Sequence, residues 1–176
     1  MSDLGNDTDP VRGASIIAAV KSAGVATVIT VPDITTGDGL LRPISNDGDL
    51  RHITVCKEDE GIGISAGLSY AGERVLILIQ NTGFLDSINA IRAVGVEYEM
   101  PICLMVGLLG KQAGEAPSEA RNYGVRIVEP ILDAMGIARA LIETEGDVAL
   151  IAPAIEAAYK TSRPTALLIG QSPEAE

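Results

Sequence analysis

Six short apolar runs constrain this chain more than anything else in it. "VATVITV", "HITVC", "RVLILIQ", "PICLMVGLL", "IARALI" and "RPTALLIG" are rich in Val, Ile and Leu, and the segments between most of them carry apolar residues at helical spacing. A strand that is apolar at nearly every position, rather than at every second one, has both faces buried. Such strands, alternating with helices, form a parallel sheet covered on both sides. The expected fold is α/β, a three-layer, doubly wound and mostly parallel sheet of about six strands.

The intervening segments supply the helices. "PVRGASIIAAVKSAG" reads as a helix with Pro10 in its first turn and Gly24 as its cap. "EDEGIGISAGLSYAGE" is a helix carrying small residues at Gly63, Ala66, Gly67 and Ala71; interior glycine costs about 1 kcal/mol of helix propensity, so close packing against this helix is expected. "GFLDSINAIRAVGVEY", "VRIVEPILDAMG" and "GDVALIAPAIEAAYKTS" complete the set. Residues 1–9 are polar and expected to be a disordered N-terminal tail, residues 10–172 a single domain, and residues 173–176 a C-terminal tail. One segment breaks the alternation: "GKQAGEAPSEARNYG", Gly110 to Gly124, leaves the fourth strand at the edge where parallel sheets build ligand sites. It reads as a lid, an interface loop or a disordered crossover.

Charge narrows the function classes. Against 24 Asp and Glu stand 13 Lys and Arg, a net charge of -11 that opposes nucleic acid and anionic membrane surfaces as partners. "MSDLGNDTDP" lacks the basic start and apolar run of a secretory signal, and no apolar stretch approaches the roughly 18 residues of a membrane span, so a cytoplasmic protein is expected. Cys56 and Cys103 lack CxxC spacing and have only His52 as a possible co-ligand, so both read as buried free thiols, His52 as a strand-edge residue, and no metal site is expected.

The triplet Gly37-Asp38-Gly39 has the form of the Gly-Asp-Gly that opens the magnesium and diphosphate motif of thiamine diphosphate enzymes. That motif delivers its Asp from a strand directly into a helix and adds an Asn further on, yet Ile62 to Tyr70, where the Asn would fall, contains none. A hard cation needs several oxygens, which Asp38 alone does not provide. The expected structure is a turn in which glycine supplies a positive φ and Asp38 caps the next short helix. "GIGISAG" is not a dinucleotide fingerprint, because Gly63 and Gly67 lie inside a helix rather than in a strand-to-helix turn.

Glu58 to Gly72, followed by "RVLILIQNTGFLDSINAI", resembles the pyrimidine-binding domain of thiamine diphosphate-dependent 2-oxo acid decarboxylases. The resemblance is nearest to the alpha chain of two-subunit sulfopyruvate decarboxylases and to the equivalent half of phosphonopyruvate decarboxylases. The family's Glu is followed by Gly-Ile at the fifth and sixth positions and Gly at the ninth. Counting from Glu58 gives Gly63, Ile64 and Gly67, whereas counting from Glu60 gives Ser65, Ala66 and Ser69. Val31-Pro32-Asp33 and Gln80-Asn81-Thr82-Gly83 resemble the family's loops after the first and third strands.

The resemblance implies a site. Glu58 is the carboxyl group that binds the cofactor's pyrimidine ring, expected to be desolvated among small apolar residues. Asp33 orients substrate or relays a proton, Asn81, Thr82 and Gly83 touch cofactor, and Gln80 and Asn81 lie toward substrate. It also implies thiamine diphosphate and Mg²⁺, held mainly by a diphosphate-binding beta subunit that carries the true Gly-Asp-Gly and Asn motif. The active site would then lie between chains in an α2β2 or higher assembly. The implied substrate is a small anionic 2-oxo acid, sulfopyruvate- or phosphonopyruvate-like, giving an aldehyde and CO2 as the thiazolium accepts the electrons. Arg42, Lys57, Lys111 and Arg121 are the candidate cations for its second acidic group. A carboligase subunit and a non-catalytic α/β binding module are the alternatives.

Overall fold

The computed structural model describes residues 7–175. Its sheet has six parallel strands in the order β2-β1-β3-β4-β6-β5. These are β1 (Val25–Thr30), β2 (Arg51–Thr54), β3 (Arg74–Gln80), β4 (Cys103–Gly107), β5 (Ala138–Ile142) and β6 (Thr165–Ile169). The period-two geometry of a strand sends alternate residues to opposite faces. Leu76, Leu78, Cys103, Met105, Leu167 and Ile169 join one core. Ile77, Ile79, Leu104, Val106, Ala166 and Leu168 join the other.

Helices cover both faces, as the apolar runs predict. On the first lie α1 (Gly13–Ser22), α2 (Arg42–Asn46) and α8 (Ile151–Thr161), which contribute Ile16, Ile44 and Ile155 to that core. On the second lie α3 (Glu58–Tyr70), α4 (Asn81–Asp86), α5 (Ile88–Ala90), α6 (Tyr123–Arg126) and α7 (Val128–Ala134); Ile62, Phe84, Val125 and Leu132 fill that core. Gly24 (φ 76°) and Gly72 (φ 90°) close α1 and α3 in the left-handed region. Among the described residues no helix is long and apolar enough to cross a membrane.

Several local expectations are corrected. The first helix begins at Gly13 rather than Pro10, because the preceding backbone is committed to pairing: Pro10 bridges Thr144, and Glu174 N–H donates to the Val11 carbonyl at 2.9 Å. Most of the expected N-terminal tail, residues 1–6, lies outside the described residues, as does residue 176; the carbonyls of Asp7 and Asp9 accept from Gly146 and Glu145 N–H at 3.0 Å. The segment 83–98 is not one helix. At Ser87 the Gly83 carbonyl accepts both the hydroxyl at 2.8 Å and the backbone N–H at 3.0 Å, and Ile91–Glu97 continues in wide π-type turns. Cys103 is buried, its thiol pushed up to about 12 by desolvation. Cys56, in contrast, is exposed, because β2 ends at Thr54 and carries it out of the sheet.

The Gly-Asp-Gly forms the wide helical turn Gly37–Leu41 that runs into α2, and neither glycine has a positive φ. Asp38 is exposed and ion-paired with Arg42 at 3.1 Å instead of capping a helix. Close packing explains Gly39. A Cβ on Gly39 would lie 2.3 Å from the Pro173 carbonyl oxygen, and one on Gly13 would lie 1.6 Å from the Gly39 carbonyl oxygen.

Gly39→Ala is expected to lower folding stability by about 2 kcal/mol or more in urea denaturation, since backbone must move. Gly37→Ala, with open space around its Cβ, is expected to fall within about 0.5 kcal/mol of the parent. In a thiol titration of the native chain, Cys56 is expected to react fast and Cys103 only after denaturation; two fast thiols would contradict the burial of Cys103.

Candidate functional site

After β1 the chain turns to β2 on one side of the sheet, and after β3 it turns to β4 on the other. The carboxyl ends of β1 and β3 therefore flank the crevice where ligands of such sheets bind. Three segments reach this edge: the loop after Thr30, the amino end of α3, and the β3–α4 junction at Gln80 and Asn81.

The acidic triplet at the start of α3 divides its tasks. Glu60 turns back to accept the N–H groups of Cys56 and Lys57 at 3.0 and 3.2 Å, half of a capping box. Asp59 is exposed and lies 3.8 Å from Lys57. Glu58 does neither: half-buried, it forms no hydrogen bond or ion pair with any described residue. Its side chain lies over Gly83, where a Cβ would stand 2.1 Å from Glu58 Oε1 and 2.4 Å from its Cδ. Gly83 must lack a side chain for the carboxylate to lie there. Glu58 is half-buried rather than desolvated among small residues: Gly61, Ile62 and Ser65 of α3 are buried and Ala66 and Leu68 pack on the core, while Gly63 and Gly67 stand in open space.

Asn81 is 1% exposed, and its Oδ1 accepts Leu109 N–H at 3.1 Å. Leu109 in turn offers its carbonyl to Asn122 Nδ2 at 3.1 Å, and Asn122 Oδ1 accepts Gly124 N–H at 2.9 Å. A Cβ on Gly124 would lie 3.3 Å from Asn81 Nδ2, so this chain of contacts returns to its start. Thr82 is exposed and its hydroxyl donates to the Gln80 side-chain oxygen at 2.5 Å. The clasp through Leu109 and Asn122 was missed in the sequence; its one signal was an Asn two residues before a glycine at a helix start.

Asp33 caps its own loop, accepting Thr36 N–H at 2.9 Å and the Thr36 hydroxyl. Thr35 and Thr36 press on Gly107 at the end of β4, where a Cβ would meet either side chain at 3.1 Å. The structure brings Glu58, Asn81 and Gly83 together and sets Asp33 on the adjoining loop. Two buried hydroxyls, Thr35 Oγ1 and Ser65 Oγ, have no partner among the described residues.

The segment Gly110 to Gly124 is an ordered crossover. Pro117 and Ala120 are buried, Pro117–Glu119 forms a 3-10 turn, and Glu115 accepts the N–H groups of Gln112 and Arg121 at 3.2 Å. Lys111 is sealed in an ion pair with Glu143, its side chain 0% exposed, and also donates to the Gln112 carbonyl at 3.2 Å. His52 lies on the edge strand β2, its Nε2 bonded to Thr30 Oγ1 at 2.8 Å. Asp38 lies on the opposite face of the sheet from α3, in a groove of about 910 Å³ between α1 and α2. Of the residues singled out in the sequence, that groove holds Asp38 and Arg42, and none of Glu58, Asp33, Gln80, Asn81, Thr82 or Gly83 lines it. Among the described residues, no three His, Cys, Asp or Glu side chains are grouped to hold a metal ion.

The donor set fits an aminopyrimidine cofactor. An unpaired carboxylate over a bare glycine leaves an open edge, and Asn81 beside it is held rigid.

No protein-family model matches the chain. It is 32% identical over 159 residues to the sulfopyruvate decarboxylase subunit alpha of Methanocaldococcus jannaschii, covering 89% of this chain and 92% of that protein. It is 33% identical over 96 residues to the subunit alpha of Methanococcus maripaludis, covering 54% and 57%. It is 26% identical over 156 residues to the sulfopyruvate decarboxylase of Methanosarcina acetivorans, 88% of this chain but 38% of that longer protein. Among solved structures, the thiamine diphosphate-dependent 4-hydroxybenzoylformate decarboxylase of Rhodococcus jostii RHA1 shares the fold, with a TM-score of 0.64 at 15% identity over 100% of this chain and 36% of that one.

Asn81→Ala removes the acceptor of a part-buried N–H and is expected to cost about 1–3 kcal/mol. Amide exchange at Leu109 should accelerate with it; an unchanged rate there would refute the clasp.

Proposed function

The chain belongs to the sulfopyruvate decarboxylase alpha-subunit family, so it is a decarboxylase subunit, and we propose that it supplies the pyrimidine half of a thiamine diphosphate site shared with a second chain. The observation that carries this is Glu58, a carboxylate at the carboxyl edge of the sheet with no hydrogen bond or ion pair to any described residue and a glycine kept clear beneath it.

Thiamine diphosphate, when bound, supplies the electron sink that takes up the carboxylate's bonding pair as CO2 leaves. The residues of this chain position and exchange protons. Glu58 holds the pyrimidine N1′ by a hydrogen bond and shares a proton with it. Asn81, fixed by Leu109, and Gly83 form the floor under the ring, with Thr82 at the rim. Asp33, braced by Thr36, faces substrate from the β1 loop together with Gln80.

Mg²⁺ and the diphosphate are assigned to a beta subunit with its own Gly-Asp-Gly and Asn motif. In support, Asp38 of this chain is tied to Arg42 on the other face of the sheet. The assembly is α2β2 or higher and cytoplasmic, and the substrate is a small 2-oxo acid with a second acidic group, as in sulfopyruvate. The second acidic group is suggested by the names of the relatives.

Copurified with its beta partner, and given thiamine diphosphate and Mg²⁺, the protein is expected to release CO2 from sulfopyruvate. Release from no member of a 2-oxo acid panel would end this reading. Glu58→Gln is expected to lower kcat at least about 100-fold without altering subunit assembly by gel filtration.

A further inference from the structure

Charge pairing singles out one cation. Of the 13 Lys and Arg residues, all but Arg74, Arg121, Arg126 and Lys160 pair with a carboxylate among the described residues. Arg74 donates to the Ala23 carbonyl and lies 5.4 Å from the Tyr159 ring, and since it opens β3 it sits at the amino edge of the sheet. Lys160 is near the end of α8, which leads back to the start of β6 at that same edge. Arg126 stacks 5.1 Å from the Tyr123 ring. Arg121 alone is exposed and unpaired in the crossover that leaves β4 at the carboxyl edge.

Its backbone is anchored on both sides. Ala120 before it is 0% exposed, and Asn122 after it donates to the carbonyl of Leu109, whose N–H is held by Asn81. Glu115 bonds to backbone instead of to the guanidinium, its oxygens accepting the N–H groups of Gln112 and Arg121 at 3.2 Å. The other three cations with a sequence claim on a substrate anion are engaged: Arg42 by Asp38, Lys57 by Asp86 at 3.4 Å, Lys111 by Glu143.

We propose that Arg121 is the specificity-determining residue that binds the second, tetrahedral anionic group of the substrate, a sulfonate or phosphonate carried by the 2-oxo acid. The inference rests on the decarboxylase reading above. A guanidinium presents forked N–H donors that match two oxygens of such a group. On a chain of net charge -11, an unpaired arginine on a fixed backbone offsets the repulsion that a dianion meets at this edge.

The test uses the assembled holoenzyme and two substrates, sulfopyruvate and the distally uncharged 2-oxobutanoate. Arg121→Gln is expected to raise KM for sulfopyruvate about 10- to 100-fold while kcat changes less than about threefold. Values for 2-oxobutanoate should not move, and Arg121→Lys should recover part of the loss. Lys160→Gln, at the amino edge of the sheet, serves as a surface control expected to behave as the parent. Independently of turnover, calorimetry with 3-sulfopropanoate, which has no keto group to react, should show binding weakened by the same factor in Arg121→Gln. Equal losses on both substrates, or unchanged binding of 3-sulfopropanoate, overturns the assignment. So does a raised dissociation constant for thiamine diphosphate, which would give Arg121 to the cofactor's diphosphate. If neither acid releases CO2 in the parent enzyme, the decarboxylase reading fails, while calorimetry still decides whether Arg121 binds the anion.

Discussion

Burial of the central strands on both faces governs where this protein can place anything polar. β3, β4 and β6 have apolar side chains above and below the sheet and no solvent on either side. Polar side chains are therefore displaced to the strand ends, where every backbone N–H and C=O that leaves the ladder needs a new partner. Asn81 meets that need for Leu109 and becomes rigid in doing so. The rigidity of the candidate site thus follows from how the sheet ends.

The same constraint explains what was legible in the sequence. Runs such as "RVLILIQ" and "PICLMVGLL" announce doubly buried strands, and all six appear in the sheet. The choice of Glu58 came from the register of the glycines behind it; in the structure Glu60 caps the helix while Glu58 lies over Gly83. What escaped was nonlocal. The role of Gly39 depends on Gly13 and Pro173, residues far away in the chain, and a local reading of Gly-Asp-Gly as a turn had no access to that contact. Cys56 was misjudged because the end of β2 at Thr54 is set by pairing with β1, not by its own residues. The break at Ser87 was missed because Leu85, Ile88 and Ile91 keep helical spacing across it.

Electrostatically, the two ends of the sheet differ. The carboxyl edge holds a sealed ion pair, Lys111 with Glu143, packed so tightly that a Cβ on Gly170 would lie 2.5 Å from Glu143 Oε1. A buried pair of this kind contributes less to stability than it costs to break, since either partner alone would be left as an uncompensated charge. Its value at this edge is geometric: it ties the turn after β4 to the end of β5, and that turn carries Leu109.

The exposed glycines of α3 have a different consequence. Gly63 and Gly67 meet no atom within 4 Å, so the fold does not need them to be bare, unlike Gly61, whose Cβ would lie 3.2 Å from Ile29. Each lowers the helix's own stability by about 1 kcal/mol relative to alanine. One side of α3 is thus tuned for folding, while its outer side leaves bare backbone at Gly63 and Gly67 beside the exposed Ile64 and Tyr70, at a cost to the helix's own stability. Thermostability and surface relief are separable properties of this one helix.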